Sequence, residues 1–326
     1  MVTQPPPSLA DVPHRIGLGL AALGRPGYIN LGRERDLPPG RDVAAMRRRT
    51  HEVLDFAYAH GVRYFDAARS YGRAEEFLAE WLDAGGDRPG VMVGSKWGYT
   101  YTADWRVDAE THEVKDHSVG VYDRQLAETR GLFGDRLDLY QVHSVTPDSP
   151  ALTDPVLHRR LVALADQGVA VGISTSGPRQ GDAIRAALDV GVDGRPVFGS
   201  VQSTWNVLEP SAGPALAEAH EAGRTVIIKE GLANGRLAER DPRLDAVLAP
   251  VAEATGASYD ALALAAALRQ PWVDVVLSGA ATEDQLASNL RATDVHLDDA
   301  QLGRLVAELA QTPAAYWDHR SRMPWN

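Results

Sequence analysis

Residues 62–96 read VRYFDAARSYGRAEEFLAEWLDAGGDRPGVMVGSK. The apolar run Val62–Asp66 ends in a carboxylate, and the run Val91–Lys96 ends in an ammonium. Between them, an amphipathic stretch over 73–84 has helical character. Strand, helix and strand in this order are the repeat of a parallel sheet covered by helices. The pattern continues on both sides. Further candidate strands are Ile16–Ala21, Leu137–His143, Val169–Ser174, Ser200–Gln202, Thr225–Lys229 and Val273–Ser278. Helical patterns lie at about 43–60, 119–133, 153–167, 178–190, 211–222, 258–269 and 282–292. The turns at His60-Gly61, Gln167-Gly168 and Ala222-Gly223 fit glycine closing a helix ahead of the next strand. Eight such units suit a closed (β/α)8 barrel better than an open sheet. No linker divides the chain, so we expect a single barrel domain over 15–326, preceded by a flexible arm over 1–14.

The bulk properties exclude several classes. The 326 residues are 44% apolar and 24% charged, as in an ordinary globular protein. A net charge of −11 argues against a nucleic-acid partner. No apolar run approaches the roughly 18 residues that cross a bilayer, and nothing near the N-terminus resembles a signal peptide, so a cytoplasmic location is expected. Without cysteine, disulfides, thiolate metal sites and cysteine nucleophiles are out of reach. The Gly17-Leu-Gly19-Leu-Ala-Ala22 run matches a dinucleotide fingerprint only superficially. Gly24, Pro26 and Gly27 follow at once, leaving no room for the helix that the fingerprint requires.

One count is informative. Of 33 basic residues, 30 are Arg and only Lys96, Lys115 and Lys229 are Lys. Base composition explains the Arg excess, yet generic surface cations could all be Arg, so each surviving lysine is either ordinary or a candidate for a place that wants a compact ammonium whose pKa can shift. Lys96 ends a strand, as do Asp66 and His143 on the strands either side, with Tyr71 just beyond Asp66. Active sites of (β/α)8 barrels form at these strand ends. The four side chains also make a chemical unit. An ammonium beside a tyrosine is expected to lower the phenol pKa, and a carboxylate to hold that ammonium charged and oriented. No His/carboxylate cluster has metal spacing, so no metal is expected. Long aromatic-bearing segments over 25–42, 97–118 and 312–326 exceed what a barrel needs, and we expect Tyr28, Trp97, Tyr99, Trp105 and Trp317 to line the substrate pocket.

Asp66, Tyr71, Lys96 and His143, in that order and setting, resemble the aldo-keto reductases. The resemblance runs from GLGLAALG (17–24) through the last helix, including FDAARSYG (65–72) and LDLYQVHS (137–144). It implies reversible hydride transfer between a nicotinamide cofactor and a carbonyl carbon. Tyr71 would act as general acid in reduction, tuned by Lys96 and Asp66, and His143 would orient the carbonyl. It also implies cofactor contacts at Leu20 and Ala21. In GISTSGP (172–178), Ser174 and Thr175 stand where the family has Ser-Asn holding the carboxamide. In VQSTWN (201–206), Gln202 would bind the carboxamide and Trp205 stack on the nicotinamide.

Two blocks depart from the family pattern. After the seventh strand the chain has Lys229, Glu230, Gly231, Leu232 and Asn234 in place of Tyr-Ser-Pro-Leu-Gly, the family's pyrophosphate block. Lys229 could contact phosphate or the catalytic centre, or pair with Glu230. After the eighth strand, Gly279, Ala280, Ala281, Thr282, Gln285, Ser288 and Asn289 would face the adenosine half, with Thr282 capping the helix. This block lacks the cations that hold a 2′-phosphate and contains Glu283 and Asp284. NADP(H) is therefore expected from the resemblance, and NAD(H) from the missing cations. The main alternative is an NAD-dependent sugar or alcohol dehydrogenase. A nucleotide-sensing barrel without catalysis, or a phosphate-binding isomerase or lyase barrel, would leave the four-residue set unexplained. A small-molecule carbonyl or alcohol is the expected partner, while substrate identity and oligomeric state stay open.

Overall fold

The computed structural model describes residue 9 and residues 12–326, so most of the expected N-terminal arm lies outside the described residues. The chain folds as a (β/α)8 barrel. Its strands are β1 (Ile16–Gly19), β2 (Tyr64–Asp66), β3 (Met92–Trp97), β4 (Leu137–Val145), β5 (Ala170–Thr175), β6 (Ser200–Thr204), β7 (Thr225–Lys229) and β8 (Val275–Ser278). Each pairs in parallel with its neighbours, and β1 closes the ring on β8 through Ile16↔Val276. Eight helices follow the strands in turn: Val43–Ala59, Ala74–Ala84, Val119–Phe133, Pro155–Ala165, Gln180–Leu188, Gly213–Glu221, Tyr259–Leu268 and Glu283–Leu290. Gly61 (φ 89°) and Gly223 (φ 75°) do end helices ahead of β2 and β7, in a backbone region where a Cβ would be strained.

The sequence departs from the minimal barrel in its additions. Helices Pro242–Thr255, Asp299–Leu309 and Pro313–Ser321 stand outside the repeat, and residues 99–101 and 113–115 pair as an antiparallel hairpin. No helix among the described residues is long and apolar enough to cross a membrane.

Two details shape the barrel, the first at the foot of β3 and β4 and the second at the mouth. The register shifts between β3 and β4 leave Asp138 unpaired in the ladder, and its carboxylate accepts from the Val93 amide at 2.7 Å. Burial pushes that carboxyl up to about 6. The loops after β1 and β2 also touch backbone to backbone. A Cβ on Gly24 would lie 2.3 Å from the Tyr71 carbonyl oxygen, so only glycine lets the two loops meet and fix Tyr71. At the opposite end, Leu9 is buried in a small apolar cluster with Tyr64, Met92, Leu139 and Val275.

Candidate active site

A cavity of about 710 Å³ opens at the strand ends. Asp66, Tyr71 and His143 lie on its wall, and Lys96 is wholly buried behind them. Lys96 Nζ donates to Asp66 Oδ2 (2.5 Å) and to the Ala67 carbonyl (2.8 Å). The other carboxylate oxygen of Asp66 accepts from Tyr64 Oη at 3.0 Å and Gln202 Nε2 at 3.1 Å. The ammonium lies 5.0 Å from the centroid of the Tyr71 ring, and that ring meets His143 edge-on at 5.5 Å.

The electrostatics differ from the expectation in one respect. Burial, reinforced by the Asp66 carboxylate, holds the Tyr71 phenol well above its ordinary value rather than below it. The ammonium that should lower it bonds to Asp66 and Ala67 instead. Burial also lowers the Lys96 pKa, against the pull of Asp66. His143 is held well below 6.5 by burial and by the positive charges of Lys96, Lys229 and Arg25, so its imidazole is neutral. Ser70 Oγ lies 3.5 Å from Nδ1; a proton donated there leaves Nε2 as the ring's donor. Behind it, His117 bonds the His143 carbonyl through Nε2 at 2.8 Å, and Lys115 Nζ bonds the Ser144 carbonyl at 2.8 Å.

Of the residues proposed for the cofactor, Ala21, Gln202, Lys229, Glu230, Gly231, Leu232, Asn234, Gly279, Ala280, Gln285, Ser288 and Asn289 share this cavity. Others lie off its wall. Leu20 is buried, and Ser174 Oγ accepts from the Ser144 amide. Thr175 bonds Ser203 on the helix side of the barrel. Ala281 is buried, and Thr282 spends its hydroxyl capping the last barrel helix through the Gln285 amide at 3.1 Å. Trp205 packs against Trp272 with ring centroids 6.0 Å apart, off the cavity wall. Among the aromatics proposed for the substrate, Tyr28 and Tyr99 line the cavity. Trp97 is fully buried against Tyr122, Trp105 donates to the Arg41 carbonyl, and Trp317 is buried beside Arg320. A strand explains the outliers. Its side chains alternate, so the residue after inward-facing Lys96, or after cavity-side Thr204, points out to the helices.

Sequence reasoning missed Arg25, Glu113, Arg320 and Trp325. Arg25 donates to Glu113 Oε2 and the Ser70 carbonyl, each at 3.0 Å, with its guanidinium 4.7 Å from the Tyr28 centroid and 5.1 Å from that of Tyr71. Arg25 does follow the Gly-Leu-rich block 17–24 directly, whereas nothing local marks Arg320. Glu230 has a left-handed backbone (φ 55°) and is gripped by Arg320, whose Nε lies 2.9 Å from Oε1 and 3.0 Å from Oε2. That guanidinium and Lys229 hold the carboxyl down at about 2, against burial. Because the folded pKa lies below the unfolded one, the pair stabilises the fold above about pH 4.5, and the contribution is lost as pH falls towards 2. Arg320→Met is expected to cost about 2 kcal/mol at neutral pH. Glu230→Gln should make the melting temperature less pH-dependent between 4.5 and 2. Thermal denaturation across that range checks both, and parallel curves for wild type and Glu230→Gln would refute the coupling.

A barrel with a buried Lys–Asp pair, a phenol and a neutral imidazole on one cavity wall is built as an enzyme. The chain belongs to the aldo/keto reductase family, whose sequence profile matches residues 15–309. An oxidoreductase of Mycobacterium tuberculosis is 29% identical over 276 residues, covering 76% of this chain and 77% of that protein. An aldo-keto reductase of Strobilurus tenacellus is 28% identical over 134 residues, 41% of this chain and 37% of that protein. The holo form of an aldo-keto reductase from Bacillus halodurans superposes with a TM-score of 0.68 at 23% identity, covering 91% of this chain and 92% of that one. A Pseudomonas aeruginosa aldo-keto reductase structure gives 0.63 at 22%, covering 89% and 94%. The protein is an oxidoreductase.

Proposed function

We propose that the protein reduces an aldehyde or ketone to an alcohol with a nicotinamide cofactor, Tyr71 giving up the proton. The observation that carries this reading is the convergence of Tyr71, His143 and Asp66 on one cavity wall, with Lys96 bonded to Asp66 behind it. The nicotinamide fits the residues present. Gln202 lines the cavity, and its Oε1 is buried without a hydrogen-bond partner, an acceptor that a carboxamide N–H would satisfy. When bound, the cofactor supplies the hydride. Gln202 would hold the carboxamide, Gly231 and Leu232 the phosphates, and Gly279, Ala280, Gln285, Ser288 and Asn289 the adenosine half. Neutral His143 donates a hydrogen bond to the carbonyl oxygen and aligns it with the Tyr71 hydroxyl. A phenol with a raised pKa keeps its proton at neutral pH, so the donor form of Tyr71 is the one present. Lys96 supplies positive charge as the phenol becomes phenolate, and Asp66 anchors that lysine. Steady-state turnover of NADH or NADPH with a panel of small aldehydes tests the reading. No turnover with any of them would refute it.

The reading as an NAD-dependent dehydrogenase draws on a different feature. Asp260 and Asp284 share the cavity wall with Ser288 and Asn289, so acids stand where a 2′-phosphate would need cations. A charge-assisted hydrogen bond is worth about 1.5–3 kcal/mol, roughly 10- to 100-fold in affinity. We therefore expect NADPH to be preferred over NADH by less than about 100-fold, if at all. Asp284→Arg should tighten NADPH more than NADH; Ala281 is too buried to serve. Trp325, on the cavity wall, is the reporter for fluorescence titration of both nucleotides. A preference for NADPH above about 1000-fold in the unmodified protein would displace the phosphate site from this wall.

A further inference from the structure

The charges at the catalytic end of the cavity do not cancel. Three carboxylates each have a hydrogen-bonded cation: Asp66 with Lys96, Glu113 with Arg25, and Glu230 with Arg320. Lys229, at the end of β7, is a fourth cation on the same wall as His143. Its Nζ donates to Thr204 Oγ1 at 3.0 Å and forms the expected ion pair with Glu230 only at long range, Oε1 standing 3.9 Å off, beyond hydrogen-bond reach. An ammonium has three hydrogens, and among the described residues no other acceptor takes one from Lys229. Its side chain is only 15% exposed, so water does little to satisfy the remaining two. Thr204 in turn donates to Glu230 Oε2 at 3.3 Å, which fixes the hydroxyl as an acceptor towards Lys229 and holds the ammonium in place. The neighbourhood already strains to keep the charge. Burial lowers the Lys229 pKa to about 8, with Arg320 and Lys96 pushing the same way and Glu230 and Asp66 opposing. An oxyanion beside Nζ would relieve both deficits at once.

We propose that Lys229 anchors an anionic oxygen group of a cavity ligand, first of all the carboxylate of a carbonyl substrate. The proposal rests on the reading that this cavity takes a carbonyl compound, and it narrows the substrate class to oxo compounds that carry an acid group. The same chemistry has a second source, a phosphate of the nucleotide, and the experiment separates the two. In the full-length protein, KM is measured for 4-carboxybenzaldehyde against benzaldehyde and for glyoxylate against acetaldehyde. Lys229→Met should raise the KM ratio of charged to uncharged aldehyde by about 10- to 100-fold, with the kcat ratio little changed. Lys229→Gln, of similar length and polar, should do the same, and Lys229→Arg should keep part of the preference. Isothermal titration with sodium benzoate gives a readout independent of turnover: wild type should bind at least tenfold more tightly than Lys229→Met. If NADH and NADPH dissociation constants rise in the variant instead, while both KM ratios and benzoate affinity hold, the anion is the nucleotide's phosphate. If neither the aldehyde ratios, benzoate affinity nor nucleotide affinity changes in correctly folded Met and Gln variants, Lys229 anchors no anion and the proposal falls. Should no aldehyde be turned over at all, the reductase reading fails, and the benzoate and nucleotide titrations still decide the role of Lys229.

Discussion

Tyr71→Phe is expected to lower carbonyl turnover by about 10²–10⁴-fold while leaving nucleotide affinity within a few-fold of wild type. The hydroxyl is the only atom lost, and general acid catalysis is worth a factor of that size. The ring is 8% exposed and wedged between the Arg25 guanidinium and His143, so phenylalanine keeps its packing. Because burial holds the Tyr71 phenol protonated, wild-type turnover that draws its proton from Tyr71 should not collapse as pH rises through neutrality. Single-turnover kinetics beside a nucleotide titration make the comparison. Near-wild-type turnover in the phenylalanine variant would mean that the proton comes from elsewhere.

Lys96→Met should be damaging twice over. It leaves Asp66 buried without its cation, a break that costs about 3–5 kcal/mol in stability, and it removes positive charge from beside the phenol. Lys96→Arg should do little better. A planar guanidinium cannot stand where Nζ reaches both Asp66 Oδ2 and the Ala67 carbonyl in a fully buried slot. The double change Asp66→Asn with Lys96→Met should recover much of the melting temperature without recovering turnover. That split separates the pair's structural role from its catalytic one. An arginine variant with most of its activity would show that a diffuse positive field suffices.

Much of this molecule is legible in its sequence because the barrel repeat is local. Apolar runs, glycine after helices and polar strand ends mark all eight strands and the eight repeat helices to within a few residues. The additions are less visible. Helix Pro242–Thr255 carries Pro250 in its interior, which reads as a break. At the site, Asp66, Lys96 and His143 are legible because strand ends place them. Trp97 and Trp205 show the limit: an aromatic at a strand end faces the mouth or the helices according to parity, and counting from Lys96 or Gln202 would have turned both outward. Arg320 meets Glu230 across 90 residues, and no periodic signal reports such a pairing. The scarcity of lysine proved the better guide. Lys96 holds Asp66, Lys115 holds the Ser144 carbonyl beside His143, and Lys229 faces the cavity, so all three gather at the mouth.

Ring closure also sets a clock on biosynthesis. β1 finds its second neighbour only when β8 exists, some 260 residues later, as Ile16↔Val276 requires. At roughly 5–20 residues per second, the first strand waits on the order of tens of seconds for that partner. Even then Glu230 lacks Arg320 until the final helix has emerged. Throughout this interval the nascent chain presents open β-edges on either side of an unclosed barrel, the kind of surface that seeds misassembly and that chaperones shield. A ribosome-bound chain ending before residue 270 should therefore be protease-sensitive and unable to bind nucleotide, whereas a released full-length chain should resist. Asp66, Tyr71, Lys96 and His143 are all encoded within the first half, but the cavity they line or back is complete only when the second half arrives.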